Sequence, residues 1–128
     1  MKPLTSEWVG KAEGDYATAR REMRARRQPN YDAACFHAQQ CAEKYLKALL
    51  QEFGHTIVRT HNLETLATPL SAAFPALHEL APRFRALTAY AVESRYPGKS
   101  SDRALARDAV AHCGVIRTAM RKALRIRR

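Results

Sequence analysis

The segment from Tyr31 to Phe53 constrains the fold more than any other part of the chain. It contains neither glycine nor proline, and it is rich in Ala, Leu, Lys, Glu and Gln, which all favour an α-helix. Gly54 follows directly, in the position where a glycine commonly ends a helix. The sequence therefore predicts one long, uninterrupted helix in this segment.

Helical spacing of apolar residues predicts a first helix from about Glu7 to Arg27. Thr5 or Ser6 can cap its start, and the tripeptide Gln28-Pro29-Asn30 ends it. The last turns are strongly basic, and positive charge at a helix C-terminus offsets the helix dipole. The apolar face consists of Trp8, Ala12, Tyr16, Ala19 and Met23.

Two further helices are predicted after Gly54. A short one begins near His61 or Asn62 and carries Leu63, Leu66 and Leu70, and Pro69 and Pro75 limit its length. A longer one spans Ala76 to Ser94, and we expect Pro82 to kink or split it early. Its apolar face consists of Leu77, Leu80, Phe84, Leu87 and Ala91.

The last predicted helix runs from Arg103 nearly to the C-terminus. A polar stretch at residues 99–102 can cap its start, and its outer face is basic. The predicted apolar stripe consists of Leu105, Ala109, His112, Ile116, Ala119 and Ala123. The chain shows no strand-like alternation and no internal repeat. The sequence therefore favours an all-α, antiparallel four-helix up-and-down bundle with an additional short helix, in a single domain spanning residues 1–128.

The chain is strongly basic, with a formal net charge of +10. Such an excess favours contact with an anionic molecule, such as RNA, a nucleotide or an acidic protein, although a basic surface without any ligand is the simpler interpretation. The odd number of cysteines, three, fits a reducing compartment. Apolar runs are too short for a membrane helix and the start lacks a signal-peptide core, so we expect a cytoplasmic protein without membrane contact.

The second helix carries an unusual polar side. Gln40, Glu43, Lys44 and Lys47 are spaced three or four residues apart and so share one side of the helix. The simple interpretation is a solvated face with an internal Glu43–Lys47 pair. The functional interpretation is the polar floor of a cleft or a dimer interface, with both lysines available to an anion.

Two other polar patches lie at helix ends. His61 stands between Thr60 and Asn62, where it could help to bind an anion, although plain N-capping explains the same residues. In Arg95-Tyr96-Pro97, Arg95 could grip a phosphate and Tyr96 could stack on a base. A buried tyrosine and an arginine that binds helix-end carbonyl groups are the alternative.

Metal and cofactor motifs are weak in this sequence. His37 and Cys41 are four residues apart, but two ligands do not make a zinc site, so we expect no bound metal. No glycine-rich phosphate loop is present, and we expect no cofactor.

Taken in order, these patches resemble the HEPN domain family, and the resemblance covers most of the chain. It rests on residues in the first and second helices and on two motifs, which are Trp8, Ala12 and Asp15; Phe36, Gln39, Gln40, Glu43, Lys44, Lys47 and Ala48; Thr60-His61-Asn62-Leu63; and Arg95-Tyr96-Pro97-Gly98. The resemblance is to the small, free-standing prokaryotic members. It implies a helical homodimer, often paired with a minimal nucleotidyltransferase in a toxin–antitoxin-type system.

The resemblance also implies a catalytic motif that this sequence matches poorly. Catalytic members are metal-independent endoribonucleases with an arginine and, after four to six intervening residues, a histidine. Arg95 is in the right place, but Ser or Asp occupies positions 100–102. Arg107 and His112 fit the spacing as a candidate catalytic pair, yet side chains five apart in a continuous helix point ~140° away from each other.

The leading hypothesis is a dimeric HEPN module that binds a nucleotide or RNA, or a nucleotidyltransferase partner. The expected binding residues are Arg95, Tyr96, His61, Lys44 and Lys47. One alternative is an endoribonuclease toxin that uses Arg107 with His112, or Arg95 with His61. The other is a non-catalytic protein-interaction module that neutralises an acidic partner.

Overall fold

The computed structural model describes residues 1–93 and 96–127, and in these ranges it contains helices and no strand. The helices are α1 (Pro3–Arg24), α2 (Tyr31–Glu52), α3 (Leu63–Ala67), α4 (Ala76–Glu79), α5 (Ala81–Glu93) and α6 (Arg103–Ala123), with a 3-10 turn at Thr68–Leu70. The all-α prediction is confirmed.

The four long helices α1, α2, α5 and α6 form an up-and-down bundle, in which α2 packs against the other three. Side-chain pairs fix the helix directions. Glu13 of α1 contacts Arg117 of α6, while Tyr16, one turn later in α1, faces Gly114, so α1 and α6 are antiparallel. The tight connection between α1 and α2 makes these two helices antiparallel as well, so α2 and α6 run in the same direction.

Helix α2 begins and ends where the sequence predicts. The Asn30 side chain accepts a hydrogen bond from the backbone N–H of Ala33, at 2.9 Å, and so caps the first turn. At the other end Gly54 adopts a φ of +74°, a conformation that costs a residue with a Cβ atom about 1–2 kcal/mol. Tyr45, Leu46, Leu49 and Leu50 of this helix are fully buried in the core.

Pro82 splits the predicted fourth helix into α4 and α5. Proline lacks a backbone N–H and is tolerated in the first turn of a helix, and here it is the second residue of α5. Every residue of the predicted apolar face is nevertheless buried, from Leu77 in α4 to Ala91 in α5.

Two details of the outer helices differ from the predictions. Helix α1 starts at Pro3, so Thr5 is buried inside the helix and does not cap it, and the helix ends at Arg24. The buried stripe of α6 is shifted by one position over part of its length, so that Ala106, Cys113 and Met120 are buried where Leu105, His112 and Ala119 were predicted. That stripe consists of Ala106, Ala109, Cys113, Ile116 and Met120.

No helix in the described ranges is long and apolar enough to cross a membrane.

Candidate functional site

Glu43 lies at the centre of a polar cluster that we call the Glu43 cluster (Gln39, Gln40, Glu43, Lys47 and His61). The residue is only 3% exposed, so its carboxylate needs partners inside the protein. Lys47 Nζ donates to Oε2 at 2.8 Å, and His61 Nδ1 donates to Oε1 at 2.8 Å. Gln39 and Gln40 donate to Oε1 at 3.1 and 3.4 Å. The polar side of α2 is therefore partly buried and is not a solvated face.

Hydrogen bonds keep the Glu43 carboxylate charged. Burial alone would raise the pKa of Glu43, because a low-dielectric environment disfavours the charged form. The hydrogen bonds from Lys47, His61 and Gln39 outweigh burial, and the pKa lies below its usual value. At neutral pH the cluster thus holds one negative charge that Lys47 neutralises.

His61 is the member of the Glu43 cluster that faces solvent, because its side chain is 65% exposed. Its backbone carbonyl accepts a hydrogen bond from Gln39, at 2.9 Å, which holds the loop against α2. Asn62 caps α3 by accepting from the N–H of Thr65, so capping does explain this residue. With Nδ1 held by Glu43, the Nε2 edge of His61 is left to act as a donor or acceptor toward a ligand.

Lys44 belongs to a separate group. Its ammonium and Nδ1 of His37 both contact Asp15 of α1, a buried carboxylate, and His37 lies at 2.7 Å. The structure therefore divides the polar side of α2 in two. Lys47 and His61 meet at Glu43, whereas Lys44 and His37 meet at Asp15. Cys41 is fully buried, and no group of three or more His, Cys, Asp or Glu side chains in the described ranges is arranged to hold a metal ion.

A third group of polar side chains, which the sequence pattern did not predict, joins α1, α2 and α6. Arg117 grips Glu13 with two parallel hydrogen bonds, at 2.7 and 2.8 Å, and the Tyr45 hydroxyl donates to the same carboxylate. Arg121 in turn donates to the Tyr45 hydroxyl, at 3.1 Å. The Arg117 hydrogen bond is the main reason that the pKa of Glu13 lies below its usual value. The only signals in the sequence were a lone tyrosine on the aliphatic face of α2 and two arginines four residues apart.

The loop before α6 carries the predicted Arg95-Tyr96-Pro97 patch. Arg95 and the neighbouring Ser94 lie outside the described residues. Tyr96 is 63% exposed, so it is not the buried tyrosine of the alternative interpretation. Near the end of α5, Asn62 and Glu93 line one shallow depression, so the His61 loop and the C-terminal end of α5 are neighbours.

Arg107 and His112 do not share a site within one chain. Arg107 is exposed, whereas His112 turns toward α5, where Arg83 Nη1 lies 3.0 Å from its Nδ1. A guanidinium only donates hydrogen bonds, so this Nδ1 is an acceptor and the ring is neutral. Burial, followed by the charge of Arg83, lowers the pKa of His112.

The helix directions bring the basic end of α1 beside the basic start of α6. The Glu13–Arg117 and Tyr16–Gly114 contacts fix an antiparallel register that places Arg24 level with the first turn of α6. The backbone N–H of Ser101 donates to Asp32, at 2.7 Å, and ties the loop before α6 to the start of α2 at the same end of the bundle. We call the exposed arginines here the arginine surface. It consists of Arg20, Arg21, Arg24, Arg26, Arg27, Arg103 and Arg107.

The comparisons with known proteins agree with the all-helical fold. The HEPN domain model matches residues 5–123, and the chain therefore belongs to the HEPN domain family. The fold is similar to that of TT1696 from Thermus thermophilus, with a TM-score of 0.81 and 21% identity over 94% of this chain and 98% of that one. At this identity the likeness concerns the fold alone. No curated protein matches the sequence.

Proposed function

We propose that this HEPN protein binds RNA or a nucleotide, acts as a homodimer, and pairs with a minimal nucleotidyltransferase. The arginine surface is the observation that carries the proposal. Five of its seven arginines lie near the end of α1 or directly after it, and two lie in the first turns of α6, so all seven are near one end of the bundle. None of them forms an ion pair with a residue in the described ranges. Unpaired guanidinium groups at this density favour a partner with repeated phosphates.

The composition of the arginine surface favours phosphates over a protein partner. The exposed large apolar side chains of the described chain all lie outside these segments, and protein interfaces usually need such side chains at their centre. Three carboxylates at this end of the bundle already accept backbone hydrogen bonds, since Glu22 accepts from the N–H of Asn30, Asp32 from that of Ser101, and Asp102 from that of Leu105. Asp108 is exposed.

The Glu43 cluster and Tyr96 would add contacts beyond the phosphates. His61 can donate a hydrogen bond from its exposed edge, and the exposed Tyr96 ring can stack on a base. Arg95 remains a proposed phosphate ligand. The lysines have smaller proposed roles than their spacing alone indicates, because Lys44 is paired with Asp15 and Lys47 with Glu43.

Salt dependence of RNA binding tests the proposal. Fluorescence anisotropy with a labelled single-stranded oligoribonucleotide, across a several-fold range of salt concentration, gives the affinity and its salt slope. The double variant R24Q/R107Q removes two charges from the arginine surface. We expect the plot of the logarithm of the association constant against log [salt] to become less steep, with its negative slope reduced in magnitude by about 1.4. Each phosphate contact with a single strand contributes about 0.7 to that magnitude.

The matched control is K122Q/R127Q, which removes one exposed charge from the last turn of α6 and one from the segment after it. This control should keep the wild-type slope. Equal slopes for the two double variants would show that net charge alone attracts RNA. Absence of binding to both oligoribonucleotide and adenine nucleotide at low salt would refute the proposal.

A metal-independent endoribonuclease is the second candidate, because His61 has the geometry of an acid–base histidine. A carboxylate on Nδ1 orients the ring and leaves the other nitrogen for proton transfer. In EDTA, cleavage that H61A abolishes and H112A preserves would favour His61 as the catalytic histidine. Cleavage lost in H112A or R107Q would favour the Arg107–His112 pair, which a second chain would have to complete.

The homodimer and the nucleotidyltransferase partner are proposed from the family resemblance. Sedimentation equilibrium of the purified chain gives its oligomeric state directly. A gene for a minimal nucleotidyltransferase beside this one, and co-purification of the two products, would support the pairing.

A further inference from the structure

A groove with one aromatic wall lies between the start of α1 and the loop after α2. Trp8 and Leu4 of α1 line one side, and Ile57 and Val58 of the loop line the other. The space measures about 510 Å³. Leu4 and Val58 are each at least half exposed, although both are large apolar side chains. Water therefore covers apolar surface that a ligand could bury.

Three cations surround these apolar walls. Lys47 is already neutralised by Glu43, and its ammonium lies 5.5 Å from the centre of the Trp8 ring. Lys11 and Arg59 are exposed and form no ion pair within residues 1–93 or 96–127. Glu7 is the one acidic residue in the lining, so the groove has an excess of positive charge.

The size of the groove favours a small molecule. Ligand pockets in proteins usually measure about 300–1,000 Å³, with mostly apolar walls and a few polar groups that orient the ligand. A protein partner would need a buried area of at least about 1,000 Å², which this groove does not offer. An aromatic body suits the indole of Trp8, and an anionic group suits Lys11 and Arg59.

We infer that this groove binds a small organic anion with a flat apolar body, which lies against Trp8, and a carboxylate or phosphate, which lies between Lys11 and Arg59. This site is separate from the arginine surface, at the opposite end of α1, and does not depend on RNA binding.

Trp8 is the single tryptophan of the chain, so one indole N–H signal in a ¹H–¹⁵N spectrum reports on the groove. The probes are 1-naphthoate and 1-naphthyl phosphate, with neutral 1-naphthamide and inorganic phosphate as comparisons. We expect both naphthyl anions to shift the indole signal saturably. The neutral probe should bind about tenfold more weakly, the loss typical of one charge-assisted hydrogen bond. Inorganic phosphate alone should give no saturable shift.

Two variants test the two halves of the groove. K11Q/R59Q should remove the preference for the anions over 1-naphthamide while keeping weak binding of the ring. L4S should weaken all naphthyl probes, and because Leu4 is exposed the fold should survive, which the remaining signals check. The control K122Q/R127Q carries the same charge change at two residues that do not line the groove, and it should bind like the wild type.

Two results would overturn the inference. The first is equal affinity for 1-naphthoate and 1-naphthamide in the wild-type protein, which would mean that Lys11 and Arg59 do not recognise the anionic group. The second is an indole signal that does not move at millimolar probe, which would mean that the groove does not bind. A stronger response to the phosphate than to the carboxylate, or the reverse, identifies the anionic group.

Discussion

Replacing Glu43 by glutamine should destabilise the protein strongly. The carboxylate is 3% exposed and accepts charge-assisted hydrogen bonds from Lys47 and His61, both at 2.8 Å. Glutamine keeps one acceptor oxygen, but its NH2 group then faces either Lys47 or His61, and both of these residues are themselves donors. The variant therefore loses both ionic interactions while it leaves the Lys47 charge close to the core.

The expected magnitude follows from the exposure of the two donors. Each charge-assisted hydrogen bond contributes about 1.5–3 kcal/mol when the partner is buried. Lys47 is 14% exposed and cannot rehydrate fully, whereas His61 is 65% exposed and recovers most of its hydration. We expect a loss of about 2–4 kcal/mol in the free energy of unfolding, with a fall of about 10 °C in Tm.

Urea denaturation at neutral pH, followed by circular dichroism, measures this loss. The matched control is E64Q, because Glu64 forms a surface ion pair with Arg85 at 3.0 Å. This variant should reduce the free energy of unfolding by less than about 1 kcal/mol. A double-mutant cycle with K47Q should give a coupling energy above about 1 kcal/mol. The reasoning fails if E43Q is no more destabilising than E64Q, or if Glu43 and Lys47 show no coupling.

Three further predictions concern stability. The pKa values of Glu43 and Glu13 are both lowered in the folded protein, so their stabilising effect is complete above the unfolded pKa of about 4.3 and disappears as the pH falls through the folded values. Urea midpoints measured from neutral to acid pH should therefore fall at the acid end, and less steeply in E43Q than in the wild type. Y45F should cost about 1–2 kcal/mol, because Glu13 loses a donor and Arg121 an acceptor; no loss in thermal denaturation would contradict this. G54A should destabilise by about 1 kcal/mol because of its positive φ, whereas G10A, in an open position within α1, should stabilise by about 0.5–1 kcal/mol; the same sign for both variants would count against the argument.

The sequence alone predicted the architecture well. The segment that became α2 carries strong local signals, namely good helix formers and a glycine directly after its end. Pro82 marked the division between α4 and α5. Such signals act within a few residues, which is why they can be interpreted without knowledge of tertiary contacts.

The arrangement of the candidate site was less predictable. Spacing placed Lys44 and Lys47 on one side of α2, but only the register between α1 and α2 decides that Lys44 pairs with Asp15. The stripe of α6 was shifted because alanines occur on several of its faces, so periodicity does not choose between Leu105 and Ala106. The Glu13–Arg117 interaction joins residues that are far apart in the chain, and no local pattern indicates it.

The most direct test of the proposed function is to map an oligoribonucleotide onto the protein by backbone amide chemical shifts. We predict that the largest changes occur at residues 20–27 and 101–107, with smaller changes around His61, and that they diminish as salt is raised. Changes confined to other surfaces, or a pattern in which the arginine surface does not respond, would contradict the account.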